Sequence, residues 1–424
     1  MKKRLPILAV LITLFVGGAL ALDAQGWTPP KDAIPPPQQV GNNAKQYSLS
    51  QAISDQAQLH TIAFDGLAFL TGDFGYDTFL PPGKVSDYFG FQYMRDIDAR
   101  EMGHNTSFLT RIADNMLAIL NDQQKAQLLT LARQQESDIR LFAEMRLPLI
   151  KAFRQNLQGD IPAGSKGLDK QAVMNYSADL YALDGKLSWQ RAQTMGSIIR
   201  SLTEQQKAAL ARLKFGDSGT WPDIPEKHDP SVPHDLNVAI MTYASEMFSW
   251  YAGSPDADTY FCPERHGMYF GGFGMKTAPA MGKQNYSIST SLTGDSGEAF
   301  LNTLNPTQRR AITDVITLQH KDLDEIVTTR RAIVTELLRF RNGETADLDK
   351  IVQMSKRYGE LDGEMSYLYA TAFAKVGQSL TVQQKQTLTS MRIFNPADPK
   401  GPFLYSTPIE NPKIASTNFL FGVK

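Results

Sequence analysis

The sequence predicts an all-α protein of two tandem, structurally similar helical units, built on long antiparallel helices and joined through irregular loops rich in Gly and aromatic residues. Three observations predict it. A short phrase occurs four times: Leu120 Asn121 Asp122 Gln123 Gln124, Leu202 Thr203 Glu204 Gln205 Gln206, Leu304 Asn305 Pro306 Thr307 Gln308, and Leu380 Thr381 Val382 Gln383 Gln384. The phrases form two pairs at nearly one spacing, because Leu304 follows Leu120 by 184 positions and Leu380 follows Leu202 by 178. Around the phrases, apolar residues recur near the 3.6-residue helical period: Leu128, Leu131, Ile139, Phe142 and Met145 alternate with Arg, Gln, Glu and Asp.

Each phrase reads as a helix start. Asn or Thr at the N-cap accepts from a backbone N–H one turn in, and Gln three residues later reaches back to the N-cap N–H. That reciprocal box fixes the spacing from Asn121 to Gln124, Thr203 to Gln206, Asn305 to Gln308 and Thr381 to Gln384. Pro306 falls at the first helical position, where its missing N–H costs nothing.

The chain opens with Met1 Lys2 Lys3 Arg4, an apolar run from Leu5 to Val16 and the small residues Ala19 Leu20 Ala21. Residues 1–21 therefore read as a secretory signal peptide, with a mature chain expected from about Leu22. Residues 22–48 form an arm whose Pro29, Pro30, Pro35, Pro36 and Pro37 resist helix and sheet alike. The first unit is expected over 49–220. It holds a helix from Leu49 to about Leu70, an aromatic loop, a helix ending before the first phrase, long helices at Asp122–Asn156 and Leu168–Leu202, and a short helix ending near Phe215.

A Pro-rich linker spans 221–234, and the second unit, 235–394, repeats the order. Its helices are expected at Met241–Tyr251, Pro306–Phe340 and Leu348–Leu380, with a short one ending near Ile393. Residues 395–424 read as an extended C-terminal tail. Equivalent helices carry Leu183 Asp184 Gly185 and Leu361 Asp362 Gly363. Gly within a helix costs about 1 kcal/mol against Ala, so its presence at both sites predicts close helix crossing or a bend.

The two loops also correspond, Asp77 Thr78 Phe79 answering Asp258 Thr259 Tyr260, and Tyr88 Phe89 Gly90 Phe91 answering Tyr269 Phe270 Gly271 Gly272 Phe273. Their aromatic side chains are the expected client-binding set: Phe79, Tyr88, Phe89, Phe91, Tyr260, Tyr269, Phe270 and Phe273.

Composition excludes several function classes. Without the three basic residues of the leader, 40 Lys and Arg stand against 44 Asp and Glu, a net charge of about −4 that disfavours nucleic acid as a partner. A single cysteine, Cys262, rules out an internal disulfide. The sequence has no phosphate-binding Gly loop, no paired zinc cysteines and no Ser framed by a nucleophile elbow, so neither an enzyme nor a bound cofactor is expected. The sharpest local chemistry is Cys262, His266 and Met268, soft ligands that suit copper or zinc and define an alternative reading as a metal-binding envelope stress or sensor protein. A structural subunit of an envelope complex is the other alternative. No segment of the mature chain is apolar enough to be expected to cross a membrane.

Paired phrases of Leu, Thr or Asn, two variable residues and Gln in an exported helical chain resemble the LTxxQ motif family of Spy-, CpxP- and ZraP-like periplasmic proteins. The resemblance rests on the four phrases and covers about half of the chain. Asn replaces Thr at 121 and 305, and the aromatic loops have no counterpart. It implies a cradle-like helical dimer, here a covalent pseudo-dimer, that holds partly unfolded protein clients or an envelope protein partner without a cofactor.

Overall fold

Asn121, Thr203, Asn305 and Thr381 all hold extended backbone angles, and each starts a helix as its phrase predicts. The computed structural model describes residues 55–71, 107–213, 220–225, 230–252, 298–391, 403–404, 407–408, 414 and 416–423. The expected signal peptide, the Pro-rich arm and both aromatic loops lie outside these residues.

The described chain is all-α. Helix α1 covers Asp55–Thr71, α2 Ser107–Ile119, α3 Asp122–Gln158, α4 Lys170–Arg200 and α5 Glu204–Leu210. Helix α6 covers His234–Ala252, α7 Glu298–Thr303, α8 Pro306–Arg341, α9 Leu348–Ser379 and α10 Val382–Ser390. The order short, long, long, short thus recurs, with 37 and 31 residues in α3 and α4 and 36 and 32 in α8 and α9. Helix α6 starts seven residues before its expected first residue, Met241, because Leu236 and Ala239 extend its buried face and the Asn237 amide donates to the Val232 carbonyl at 2.9 Å. Among the described residues no helix is long and apolar enough to cross a membrane.

Helices α4 and α9 form the central seam, and glycine sets their separation. A Cβ on Gly185 would lie 2.3 Å from Ser355 Oγ, and one on Gly363 would lie 2.9 Å from Ser177 Cβ. Gly363 follows Gly185 by the same 178 positions that separate Ser355 from Ser177, so the two contacts are reciprocal. At Gly359 the obstacle is backbone, the Ser177 carbonyl oxygen at 2.6 Å. Both triplet glycines therefore serve close crossing, and the buried face around them carries Tyr181, Tyr358, Met365 and Tyr369.

Relative to the units expected from the sequence, the two short head helices are exchanged. Helix α6, which follows the 221–234 stretch, packs on α2 and α3 of the N-terminal half, while α1 packs on α7, α8, α9 and α10 of the C-terminal half. Each is also tied at its last turn to the half it leaves: Arg154 of α3 donates to the Phe69 carbonyl of α1 at 3.1 Å, and Arg341 of α8 donates to the Trp250 carbonyl of α6 at 2.7 Å. A cation is the favourable group at a helix C-terminus. Within the linker stretch Trp221 is buried edge-on against Phe248, and the Asn115 amide donates to the Pro222 carbonyl at 2.9 Å.

Only the end of the described tail departs from the extended chain expected for it. Phe403–Leu404 and Thr407–Pro408 pair as two short antiparallel strands, and Asn418–Phe421 close into a 3-10 turn. Apolar burial decides the second feature, since Leu420 and Phe421 sink beside α3 and α4 and Phe419 stacks at 5.4 Å on Tyr176. The Asp169 N–H then donates to the Leu420 carbonyl at 2.8 Å, so the end of the chain is fastened where α4 begins.

Candidate functional site

The structure brings the four phrases together in two pairs. In each phrase the N-cap side chain accepts from the N–H of the Gln three residues on, and that Gln returns the bond to the N-cap N–H: 2.9 and 3.0 Å at Asn121, 3.2 and 2.9 Å at Thr203, 3.0 and 2.9 Å at Asn305, 3.2 and 3.0 Å at Thr381. The boxes then meet. Gln206 Nε2 donates to Gln124 Oε1 at 2.7 Å, and Gln384 Nε2 donates to Gln308 Oε1 at 2.8 Å.

The remaining amide protons close the neighbouring helix ends. Gln206 Nε2 also donates to the Ile119 carbonyl at 2.9 Å, and Gln384 Nε2 to the Thr303 carbonyl at 2.9 Å. Gln124 Nε2 reaches Ser201 Oγ at 3.0 Å, and Gln308 Nε2 reaches Ser379 Oγ at 3.1 Å. Each Gln pair is thus a clasp joining the starts of two helices to the ends of two others. Leu120, Leu202 and Leu304 are buried beneath the clasps and Leu380 is half-buried, whereas Asp122, Gln123, Glu204, Gln205, Pro306, Thr307, Val382 and Gln383 are exposed. This explains the phrase: its fixed letters are the buried or bonded ones, and its variable letters face outward.

An ordinary capping box accepts Glu as well as Gln, but only an amide has protons to donate to a carbonyl. Gln206→Glu keeps the cap acceptor and loses the donations to Ile119 and Gln124. We expect it to destabilise the chain by about 1–3 kcal/mol, against about 1 kcal/mol for Thr203→Ala, which loses a cap alone. Urea unfolding checks the order, and equal losses would reduce the clasp to a cap.

Two buried polar clusters, which the sequence reading did not single out, pin the exchanged helices. In the first, Arg191 Nη1 of α4 meets Glu246 Oε1 of α6 at 2.7 Å with both side chains fully buried. Gln135 of α3 accepts from Tyr243 Oη at 2.9 Å and from Arg191 Nε at 3.3 Å. Its amide donates to the Leu187 carbonyl at 2.9 Å. In the second, Gln319 of α8 accepts from Tyr369 Oη at 2.8 Å and donates to Gln58 Oε1 of α1 at 3.0 Å. Burial, and then the charge of Asp65, push the Tyr369 hydroxyl far above its ordinary value and keep it a neutral donor.

Gln319 follows Gln135 by 184 positions and Tyr369 follows Arg191 by 178, the spacings of the phrases. The repeated Gln is the one signal of these clusters that the sequence carries, since Arg191 and Tyr369 are unlike residues at equivalent positions.

The expected client-binding residues Phe79, Tyr88, Phe89, Phe91, Tyr260, Tyr269, Phe270 and Phe273 lie outside the described residues, as do Cys262, His266 and Met268 of the metal alternative. Among the described residues no three His, Cys, Asp or Glu side chains gather in a metal-holding group. The helices there expose the large apolar side chains Leu141, Leu318 and Val382 at separate places on α3, α8 and α10. Compared with family models, with curated proteins and with solved structures, the chain gives no match.

Proposed function

We propose that this is an exported, non-enzymatic binding or chaperone protein of the Spy-like kind, holding flexible or partly unfolded polypeptides in the cell envelope. One observation carries the reading: the four LTxxQ-like phrases assemble in pairs into two equivalent Gln clasps within an all-helical chain. On this reading the chain is one helical unit used twice, with the head helices traded between copies.

The clasps direct their donors and acceptors inward, and amides do not titrate, so they act as a pH-independent frame rather than as a reactive site. Client contact falls to the aromatic side chains of the loops that follow α1 and α6 in sequence, from Phe79 to Phe91 and from Tyr260 to Phe273. Aromatic groups supply large contact area at low entropic cost, and the charged helix faces speed encounter and keep the complex in solution.

The test is suppression of aggregation. The mature protein, added in excess to a thermally or chemically unfolding client, is expected to lower light scattering in proportion to its concentration. A variant with the eight loop aromatics changed to Ser is expected to lose most of that effect while keeping its helical circular dichroism. No suppression at any ratio would end the proposal.

A further inference from the structure

Asp138 of α3 and Asp322 of α8 stand at equivalent positions, 184 residues apart, yet the helices beside them offer opposite partners. Lys186 of α4 pairs with Asp138 at 2.8 Å. The residue 178 positions beyond Lys186 is Glu364 of α9, so Asp322 faces a second carboxylate. Asp322 is 5% exposed, and its Oδ2 has no hydrogen-bond partner. Glu364 is ion-paired with Lys170 of α4, which places the two acids where α8, α9 and α4 meet.

The charged groups around Asp322 do not cancel this. From its own helix come Lys321 and Glu325, from α9 Glu364 and Arg357, and from α4 Lys170. Arg357 is held by Glu325 at 2.6 and 2.9 Å and by Glu360 at 2.7 Å, and Lys170 is held by Glu364. Two of the three nearby cations, Arg357 and Lys170, are therefore already engaged with other carboxylates, and the adjacent Lys321 offsets the raised pKa only in part.

We propose that Asp322 and Glu364 form a pH-sensitive joint between α8, α9 and α4. On acidification Asp322 takes a proton from solvent and its carboxyl O–H donates to the Glu364 carboxylate, which stays paired with Lys170. At neutral pH the proton leaves and the buried Asp322 anion stands beside the Glu364 anion, loosening the joint. Burial, and then the Glu364 charge, raise the Asp322 carboxyl from 3.8 to about 6. Between those values the folded chain binds more protons than the unfolded one. The stabilisation from this group is therefore full below about 4 and is lost as the pH rises through about 6.

Urea unfolding of the full chain from pH 4.5 to 8 tests this on the wild type, Asp322→Asn and Glu364→Gln. From pH 5 to 7.5 the folding equilibrium constant of the wild type is expected to fall about tenfold more than that of Asp322→Asn, with Glu364→Gln between them. Carboxyl-carbon NMR is expected to place the Asp322 midpoint near 6 and to move it down in Glu364→Gln. If Asp322→Asn does not fold, Glu364→Gln decides alone. Parallel profiles for the wild type and every folded variant, or an Asp322 midpoint near 4, would overturn the proposal.

Discussion

Arg191→Met is expected to lower the folding stability of the chain by about 3–5 kcal/mol, read as a fall in the urea midpoint at unchanged slope. The guanidinium is fully buried, bonds Glu246 at 2.7 Å and Gln135 at 3.3 Å, and lies 4.5 Å from the centre of the Tyr243 ring. Removing it takes from a fully buried carboxylate its guanidinium partner, and burying a charge costs stability unless it is paired. Glu246 belongs to α6, so the loss falls on the contact between an exchanged helix and the half that receives it.

The double variant Arg191→Met/Glu246→Leu is expected to recover much of that stability, because buried ion pairs and well-packed apolar replacements are often of similar worth. A single variant within 1 kcal/mol of the wild type, or a double variant as unstable as the sum of the two singles, would show that the pair does not hold α6 in place.

The sequence revealed the helices far better than their partners. Capping chemistry is local, so Asn121, Thr203, Asn305 and Thr381 announced their helix starts within four residues, and α3, α4, α8 and α9 end within two residues of the expected limits. Gly185 and Gly363 announced a close crossing or a bend for the same kind of reason, since each breaks a local preference, and the structure shows the crossing.

The exchange of α1 and α6 was not legible, because a head helix shows which of its faces is apolar but not which half covers it. Glu246 lies in the run Met241–Tyr251 as one acid among apolar residues, and only the fold brings Arg191 to it from 55 positions away. The second half of the clasp was hidden similarly. Gln206 looked complete as a cap, and its bond to Gln124 spans 82 positions.

Gly359→Ala is the second substitution with a large expected effect, and its sign separates packing from propensity. In an exposed helix Gly→Ala stabilises by about 1 kcal/mol. At 359 the new Cβ would stand 2.6 Å from the Ser177 carbonyl oxygen, 2.8 Å from Ala178 Cα and 2.8 Å from Tyr181 Cβ. Two of these atoms are backbone within α4, so no rotamer change relieves the overlap and the helices must part.

Opening that seam disturbs Tyr181 and Tyr358, whose rings meet edge-on at 4.6 Å. We expect a net loss of about 1–3 kcal/mol for Ala and more for Val, measured by urea unfolding. Gly185→Ala provides the contrast, because the nearest obstacles there are Oγ and Cβ of Ser355, at 2.3 and 2.8 Å, both side-chain atoms. Ser355→Gly removes them and should restore part of the loss in the Gly185→Ala background, whereas Gly359→Ala should resist rescue by any side-chain truncation at Ser177. A stabilising Gly359→Ala would mean that α4 and α9 do not approach at backbone distance, and the reciprocal glycine contacts would no longer explain why both Leu-Asp-Gly triplets carry glycine.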